Sequence, residues 1–312
     1  LTDDFWPVQV PQLKYQGKWY VLPENISSIA LRFRPEFFEE AGIAYPEKPW
    51  TYQDLHDVAA KLTKQENGKT VRWGFDPGWM LTGTSFAYLW LPAGIVDAEQ
   101  NKAIIDHPEN VRALNMLQDM KFKEHIIPRT EDLPEGVDLF ANDQIAMNAA
   151  GVWDITSTRD AMQEKHWDVV WLPSNPLKPE ENLSINYGAG YAMGRDTKAP
   201  EASWRLIRYL SEPERQQVLI VNDTWALPGR KSVTEAWRQS VLTSGSKEPQ
   251  HVKVWVDALE TGRSVPVTPA AQELEEQYPN LIGPVLTTGD ARAEDLLPQI
   301  QADLQKILDK YA

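Results

Sequence analysis

Cysteine is absent from the sequence. Its absence excludes disulfide bonds, thiolate chemistry and zinc sites built on cysteine. No apolar run approaches the length of about 20 residues that a membrane-spanning helix needs. The first residues, LTDDFWPVQVP, contain neither the basic stretch nor the apolar stretch of a signal peptide. These absences predict a globular chain without covalent cross-links.

Positive charge is also scarce. Lys and Arg total 31 against 45 Asp and Glu, which gives a formal net charge of −14. Nucleic acids and anionic membrane surfaces bind proteins that offer clustered positive charge, because binding displaces their counterions. The charge balance therefore argues against nucleic acid as a partner and against an anionic membrane surface.

The motifs of the common enzyme classes are missing as well. The sequence contains no G-x-S-x-G nucleophile elbow, no P-loop and no H-E-x-x-H zinc motif, and its five histidines are scattered. Adjacent acids such as Glu39 and Glu40 point away from each other on a helix, so they do not face one substrate bond. We therefore predict that the protein is not an enzyme and requires no cofactor and no metal.

Tryptophan, by contrast, is abundant, with 13 residues in a chain that is 10% aromatic. Sugar rings stack well on indole, because their CH groups meet the negative face of the π system. Composition therefore favours a carbohydrate as the ligand, although Trp204 and Trp237 lie at helical spacings that suit a hydrophobic core. At 312 residues the chain is long enough for two lobes, each with its own core.

Helical and strand patterns alternate along the chain, which is typical of an α/β protein. A capping box that begins at Thr51 predicts a helix over residues 52–65. The apolar and β-branched run over residues 26–33 predicts a strand, and the segment rich in Pro, Glu and Asn over residues 174–184 predicts a loop.

The stretch Phe140–Asp154, FANDQIAMNAAGVWD, organises the candidate site. It predicts the end of a helix, a short buried strand over Ile145–Met147 and a glycine turn that presents Trp153. Aromatic side chains at the ends of strands lie where α/β proteins hold small ligands. The alternative is that Trp153 packs under a loop as a structural residue.

Aromatic, glycine and arginine residues recur at junctions between strands and loops. Stacking surfaces with a few polar groups hold a sugar without reacting with it, so binding is favoured over catalysis. The candidate ligand-binding residues are Trp79, Trp153, Asp154, Tyr187, Gly188, Trp225 and Arg230.

A family resemblance runs from about Lys18 to the C-terminus. The segments that carry it are GKWYVLPENISSIALRFRPEFFEEAGI (17–43), PWTYQDL (49–55), LFANDQIAMNAAGVW (139–153), VVWLP (169–173), GAGYAMGRDTKAPEASWRLIRYLSEPERQ (188–216) and ALPGRKS (226–232). By the order and spacing of these segments, the chain resembles the extracellular solute-binding proteins of ABC importers. The resemblance is to the sugar-binding family that includes the maltose-binding proteins.

The resemblance implies an α/β periplasmic-binding-protein fold of type II, with two lobes joined by hinge crossings near residues 23–28, 188–193 and 230–237. Residues 1–25 and 189–235 would belong to the first lobe, and residues 26–188 and 236–312 to the second.

The resemblance also implies roles for several of the candidate residues. Trp153 matches the aromatic that stacks on the sugar, and Trp79 falls in the loop that supplies a second stacking surface. Arg230 lies in a loop that often supplies a polar contact, while Tyr187 and Gly188 border the cleft at a crossing.

Two departures from the family pattern stand out. The family has further βα units of about 30 residues each before the point where this sequence begins, so we expect the first lobe to be incomplete. Arg34 also stands where the family has a small polar residue ahead of a helix.

The sequence therefore predicts a monomer that captures a carbohydrate between two lobes and delivers it to an ABC permease in the membrane. It would act outside the cytoplasm, in the periplasm or at the cell surface, with or without a lipid anchor. The alternative ligands are a phosphorylated polyol, for which Arg230 is available, a polyamine, for which Asp154 is available, and a peptide. A secreted carbohydrate-active enzyme is the alternative from another class.

Overall fold

The computed structural model describes residues 2–47, 49–78, 82–221, 225–244 and 248–312. Its α-helices are α1 (Val10–Leu13), α2 (Pro35–Ala41), α3 (Tyr52–Leu62), α4 (Thr84–Trp90), α5 (Pro108–Phe122), α6 (Ile155–Met162), α7 (Pro200–Leu210), α8 (Pro213–Gln216), α9 (Thr234–Thr243), α10 (Lys253–Thr261), α11 (Ala271–Leu286) and α12 (Ala293–Asp309). No helix within these ranges is both long enough and apolar enough to cross a membrane.

The strands alternate with these helices along the chain. They are β1 (Lys14–Tyr15), β2 (Lys18–Trp19), β3 (Leu22–Pro23), β4 (Asn25–Phe33), β5 (Lys64–Glu66), β6 (Lys69–Arg72), β7 (Val96–Asp97), β8 (Lys102–Ala103), β9 (Met147–Gly151), β10 (Asp168–Val170), β11 (Ser174–Asn175), β12 (Lys178–Asn182), β13 (Ile185–Tyr187), β14 (Gly190–Tyr191), β15 (Leu227–Pro228) and β16 (Arg263–Ser264). The mixture confirms the α/β pattern.

The main sheet is organised around β4. Strands β9, β10, β13 and β15 all pair with it, and β16 extends the sheet beyond β13. Strand β13 runs antiparallel to β4 with Asn186 opposite Ser28, and β16 runs parallel to β13. Most of β4 is buried, including its polar residues Asn25, Ser27 and Ser28. Ser28 Oγ donates to the Trp255 carbonyl at 2.7 Å, so this hydroxyl is satisfied inside the core.

The chain divides into two compact units. The first contains the residues up to Ala30 together with Ala150–Val169 and Ser184–Val265, and the second contains Leu31–Ala149, Val170–Leu183 and the residues from Pro266 onward. The boundaries of these two units differ from the lobe boundaries and hinge crossings that the family resemblance implies. Those lobe boundaries and hinge crossings stay predictions.

Each unit has its own core. In the first, Trp237 and Trp255 are buried, whereas Trp204 is 44% exposed. The core prediction is therefore right for Trp237 and wrong for Trp204. In the second, α4, α5, α11 and α12 pack together, and the Gln118 amide donates to the carbonyls of Val285 and Ala291 at 3.1 and 2.6 Å.

Local signals in the sequence explain how α2 begins and ends. Pro35 occupies its first turn, and Gly42 ends it in the left-handed conformation at φ 67°. Arg34 precedes the helix without capping it, and its guanidinium instead pairs with Asp143 and Glu36. The departure from the family pattern at this position is therefore accommodated by ion pairs.

Two local predictions were wrong. The helix end expected at Phe140 is instead a series of turns over residues 139–143. The strand that follows lies partly where it was expected, because Ile145 bridges Trp73 in parallel register and β9 runs from Met147 to Gly151. The predicted loop over 174–184 contains the antiparallel hairpin of β11 and β12. Its pairing is made by backbone groups on an exposed surface, which hydropathy does not reveal.

Replacing Thr51 by Ala should destabilise the protein by about 1 kcal/mol, because α3 begins with the predicted capping box. The Thr51 hydroxyl accepts from the Asp54 backbone N–H at 3.2 Å, and the Asp54 carboxylate accepts from the Thr51 backbone N–H at 2.7 Å. Urea unfolding measures the loss. Thr51→Ser keeps the hydroxyl and should stay close to the wild type; equal losses in both variants would contradict this account.

Candidate ligand-binding site

Trp153 lies in a 3₁₀ turn, Val152–Asp154, that directly follows β9. The Asp154 Oδ2 atom accepts from the Gly151 backbone N–H at 3.0 Å and so ties the turn together. The indole folds back over Gly151, where a Cβ atom would lie only 2.4 Å from its ring carbons. Glycine at position 151 therefore permits this position of the ring, which is half-buried.

Tyr187 provides the second aromatic surface. It ends β13, is 49% exposed, and meets the Trp153 ring edge to face with 6.5 Å between ring centroids and an angle of 60° between ring planes. Edge-to-face aromatic pairs stabilise each other through their quadrupoles. The structure thus brings together two of the predicted residues.

Gly188 follows Tyr187 where two backbone segments approach closely. A Cβ atom at this position would lie 2.7 Å from the Asn25 carbonyl oxygen and 2.4 Å from the Gln9 amide nitrogen. That nitrogen donates to the same Asn25 carbonyl at 2.7 Å. Glycine at 188 therefore serves the packing of this corner of the first unit, next to the aromatic pair.

Arg230 is held inside the protein. Its guanidinium lies 4.8 Å from the centre of the Phe5 ring, donates to the Ser211 carbonyl, and lies 3.4 Å from an Asp4 carboxylate oxygen. Its side chain is 4% exposed. The ligand contact foreseen for Arg230 stays a prediction, and these contacts favour a structural role.

Trp225 and Trp79 are the remaining predicted residues. Trp225 is 37% exposed and precedes β15, whose Leu227 pairs with Ile26 of β4. Trp79 lies outside the described residues. No group of three or more His, Asp or Glu side chains in the described ranges is arranged to hold a metal ion.

A polar cluster in the second unit was not anticipated. The Arg32 Nε atom donates to Asn148 Oδ1 at 2.6 Å, and its guanidinium lies 4.5 Å from the centre of the Phe140 ring. The backbones of Asp76 and Asn148 form an isolated parallel β-bridge. The Asp76 Oδ1 atom accepts from the Gly78 backbone N–H at 2.7 Å. Arg32 lies between Leu31 and Phe33, and Asn148 between Met147 and Ala149; these polar residues within apolar runs were the signal available in the sequence.

Burial raises the pKa of the Asp76 carboxyl above its ordinary value. The Gly78 N–H bond and the positive charges of Lys121 and Arg32 act in the opposite direction without cancelling it. Asp76 thus holds the backbone of Gly78 while carrying a carboxyl group that is costly to ionise.

Comparison with known proteins identifies the family of this chain. The model of the family described as bacterial extracellular solute-binding protein matches residues 2–247. The chain belongs to this family. The match confirms the resemblance found in the sequence and the predicted location outside the cytoplasm.

One curated relative of this solute-binding protein is the sn-glycerol-3-phosphate-binding periplasmic protein of Escherichia coli K12. The two are 25% identical over 203 residues, which cover 62% of this chain and 45% of the relative. The chain thus spans less than half the length of the curated relatives it matches. That the first lobe is incomplete stays a prediction.

Solved structures confirm the fold. An ABC substrate-binding protein of Listeria monocytogenes, in complex with cycloalternan, matches with a TM-score of 0.83 at 24% identity, over 98% of this chain and 76% of the other. The GacH receptor of Streptomyces glaucescens, solved unliganded and with acarbose, matches with a TM-score of 0.76 at 21% identity, over 99% and 76%. The α/β fold of solute-binding proteins, predicted from the sequence, is therefore confirmed.

Gly151→Ala should displace the indole of Trp153, because the new methyl group would occupy the space of the ring. We expect a loss of about 1 to 3 kcal/mol in the free energy of unfolding. In 5-fluorotryptophan-labelled protein, the ¹⁹F resonance assigned through Trp153→Phe should shift. Gly194→Ala is the control, since a Cβ atom there meets nothing within 4 Å. An unchanged Trp153 resonance in Gly151→Ala would contradict the packing described.

Asp76→Asn should remove a pH-dependent loss of stability. Because the folded pKa of Asp76 is raised, the unfolded chain releases this proton at lower pH than the folded protein. The contribution of Asp76 to stability therefore falls as pH rises from the unfolded pKa, about 3.9, through the folded pKa. Asn keeps an oxygen acceptor for the Gly78 N–H.

Urea unfolding of both proteins between about pH 4 and 7 measures the difference. The free energy of unfolding should decline more steeply with pH in the wild type than in Asp76→Asn. Parallel curves would show that burial does not raise this pKa.

Proposed function

We propose that this protein captures a carbohydrate, of oligosaccharide size, outside the cytoplasm and delivers it to an ABC importer in the membrane. The observation that carries the proposal is the pair formed by Trp153 and the exposed Tyr187, which meet edge to face at 6.5 Å. Such a pair offers flat apolar surface to the CH faces of a sugar. The relatives solved with cycloalternan and with acarbose support an oligosaccharide.

A phosphorylated polyol is the second candidate ligand, because the curated relative from Escherichia coli binds sn-glycerol 3-phosphate. A phosphate group requires cationic side chains or helix N-termini that converge on it. Among the predicted site residues the cation is Arg230, and Phe5, Ser211 and Asp4 surround its guanidinium. The carboxylate of Asp154, beside Trp153, would repel a phosphate, so a neutral sugar fits this site better.

A polyamine or a peptide fits less well. Asp154 is the acid beside the aromatic pair, and its Oδ2 atom already accepts from the Gly151 N–H. A polyamine carries several positive charges, which need several convergent carboxylates, and Asp154 is the one acid among the predicted site residues. A neutral sugar needs no such charges, because its apolar face lies on the rings and its hydroxyls bond to the polar groups beside them.

Binding of the sugar would act through a shift of population rather than through chemistry. A ligand that contacts both lobes stabilises the closed form over the open form by its difference in affinity for the two. The importer would then recognise the closed, loaded monomer. A carbohydrate-active enzyme would instead need two carboxylates about 5 to 10 Å apart across the sugar, and the family and its solved relatives are binding proteins.

Trp153→Ala should weaken carbohydrate binding by more than about 1 kcal/mol while leaving the fold intact, because it removes a stacking surface. Isothermal titration of the 312-residue chain with maltotriose, acarbose and cycloalternan measures the affinity. Trp204→Ala is the control, since Trp204 is an exposed tryptophan of α7 that is not among the predicted site residues.

Titrations with sn-glycerol 3-phosphate and spermidine separate the alternative ligands. Saturable binding of either one, with no heat from the three sugars, would replace the carbohydrate by that ligand. A Trp153→Ala protein that is unfolded by circular dichroism would return Trp153 to the core and remove the basis of the proposal.

A further inference from the structure

Tyr187, the exposed member of the aromatic pair, lies at the end of a strand. It is the last residue of β13 and pairs with Ser27 of β4. Gly188 and Gly190 lie within the next three residues. Glycine leaves the backbone freer than any other residue does. The Tyr187 ring therefore keeps one position only if other groups restrain the backbone before and after it.

The ladder between β4 and the chain beyond Tyr187 is completed by side chains. The Asn25 backbone N–H donates to the Ala189 carbonyl at 3.3 Å, as it would in a continuing antiparallel ladder. The return bond of such a pair would run from the Ala189 N–H to the Asn25 carbonyl. Here that carbonyl accepts from the Gln9 Nε2 atom at 2.7 Å, and the Ala189 N–H donates to Asn25 Oδ1 at 3.3 Å. A glutamine side chain thus takes the place of a backbone donor.

A second glutamine holds the residue on the other side of the tyrosine. The Gln12 Nε2 atom donates to the Asn186 carbonyl at 3.0 Å. Both glutamines belong to one segment, since Gln9 immediately precedes α1 and Gln12 lies within it. The Ser264 hydroxyl donates to the Val8 carbonyl and so ties this segment to β16. From this base the two side chains, which we call the glutamine pair, reach the backbone on both sides of one aromatic residue.

The contacts of Gln9 leave little room for movement. Its side chain is 1% exposed, and a Cβ atom on Gly188 would lie 2.4 Å from its amide nitrogen. Hydrogen bonds inside a protein are electrostatically stronger than those in water. The buried bond from Gln9 to Asn25 therefore restrains the backbone next to Tyr187, on which the distance of 6.5 Å to the Trp153 ring depends.

We propose that Gln9 and Gln12 are positioning residues of the ligand-binding site. Their amides restrain the backbone before and after Tyr187 and thereby keep its ring beside Trp153. An aromatic pair that is already ordered loses less conformational freedom when a ligand binds, so the restraint raises affinity without a contact of its own. The effect on affinity rests on the proposed function, whereas the restraint itself does not depend on the ligand.

The restraint is tested first without ligand. In protein labelled with 3-fluorotyrosine, the ¹⁹F resonance of Tyr187 is assigned through Tyr187→Phe. Gln9→Met and Gln12→Met keep the length of the side chain and remove the amide, and each should shift or broaden this resonance. Hydrogen exchange of the Ala189 amide should be at least about tenfold faster in Gln9→Met, because the ladder around it opens more often.

Gln118→Met is the matched control. Gln118 is also a buried glutamine whose amide donates to backbone carbonyls, but it lies in the second unit. Its replacement should lower the melting temperature and leave the Tyr187 resonance in place. Equal shifts in all three variants would show a general loosening of the protein, and the positioning role would be refuted.

The effect on the site is measured by isothermal titration with maltotriose. Affinity should fall about fivefold in Gln9→Met and in Gln12→Met, the size expected for one lost hydrogen bond. Gln12→Glu separates the donor from the bulk of the side chain, because a carboxylate cannot donate to the Asn186 carbonyl and a protonated carboxyl can. Between about pH 7 and 4 its affinity should approach that of the wild type, while the affinity of Gln12→Met stays low.

Two results would overturn the proposal. An unchanged Tyr187 resonance in Gln9→Met and Gln12→Met would show that the sheet alone fixes the ring. A shifted resonance with unaltered affinity for maltotriose would show that the site does not depend on this position of the ring. A wild type that binds none of the three sugars would contradict the carbohydrate ligand, and the resonance and exchange rates would still decide whether the glutamine pair restrains Tyr187.

Discussion

The pairing of strands with β4 is the constraint on which the rest of the structure depends. Strand β4 is buried over most of its length and pairs with β9, β10, β13 and β15. Because β9 and β13 both pair with β4, the residues that follow or end them come close together. Trp153 follows β9 and Tyr187 ends β13, opposite Ser27 of β4. The aromatic pair is thus a consequence of hydrogen bonding in the sheet, although its two members are distant in sequence.

The two interpretations of Trp153, structural residue or stacking surface, do not exclude each other. Its ring packs over Gly151 and against Tyr187, so its position is determined by packing. It is also half-buried rather than enclosed, which leaves indole surface for a ligand. A rigidly held aromatic binds a sugar with little loss of side-chain entropy. Structural packing on one side and ligand stacking on the other are compatible functions of one ring.

The first unit combines this ordered site with a helix, α7, in which Ile207 is the buried residue. Its core contains Trp237 and Trp255, which are almost inaccessible, whereas Trp204 of α7 is largely in solvent. Exposed apolar area of this kind marks surfaces that bind other protein.

Local features of this protein were determined by the sequence itself. The capping box of Thr51 and Asp54 and the buried pattern of β4 depend on neighbours within a few residues, so they could be predicted. The family and the α/β fold followed from several such segments in order. Only the tertiary structure decided which candidate residues meet, because those contacts join distant parts of the chain. Arg230 has its partner Asp4 226 residues away, and no local pattern reveals that its guanidinium is enclosed.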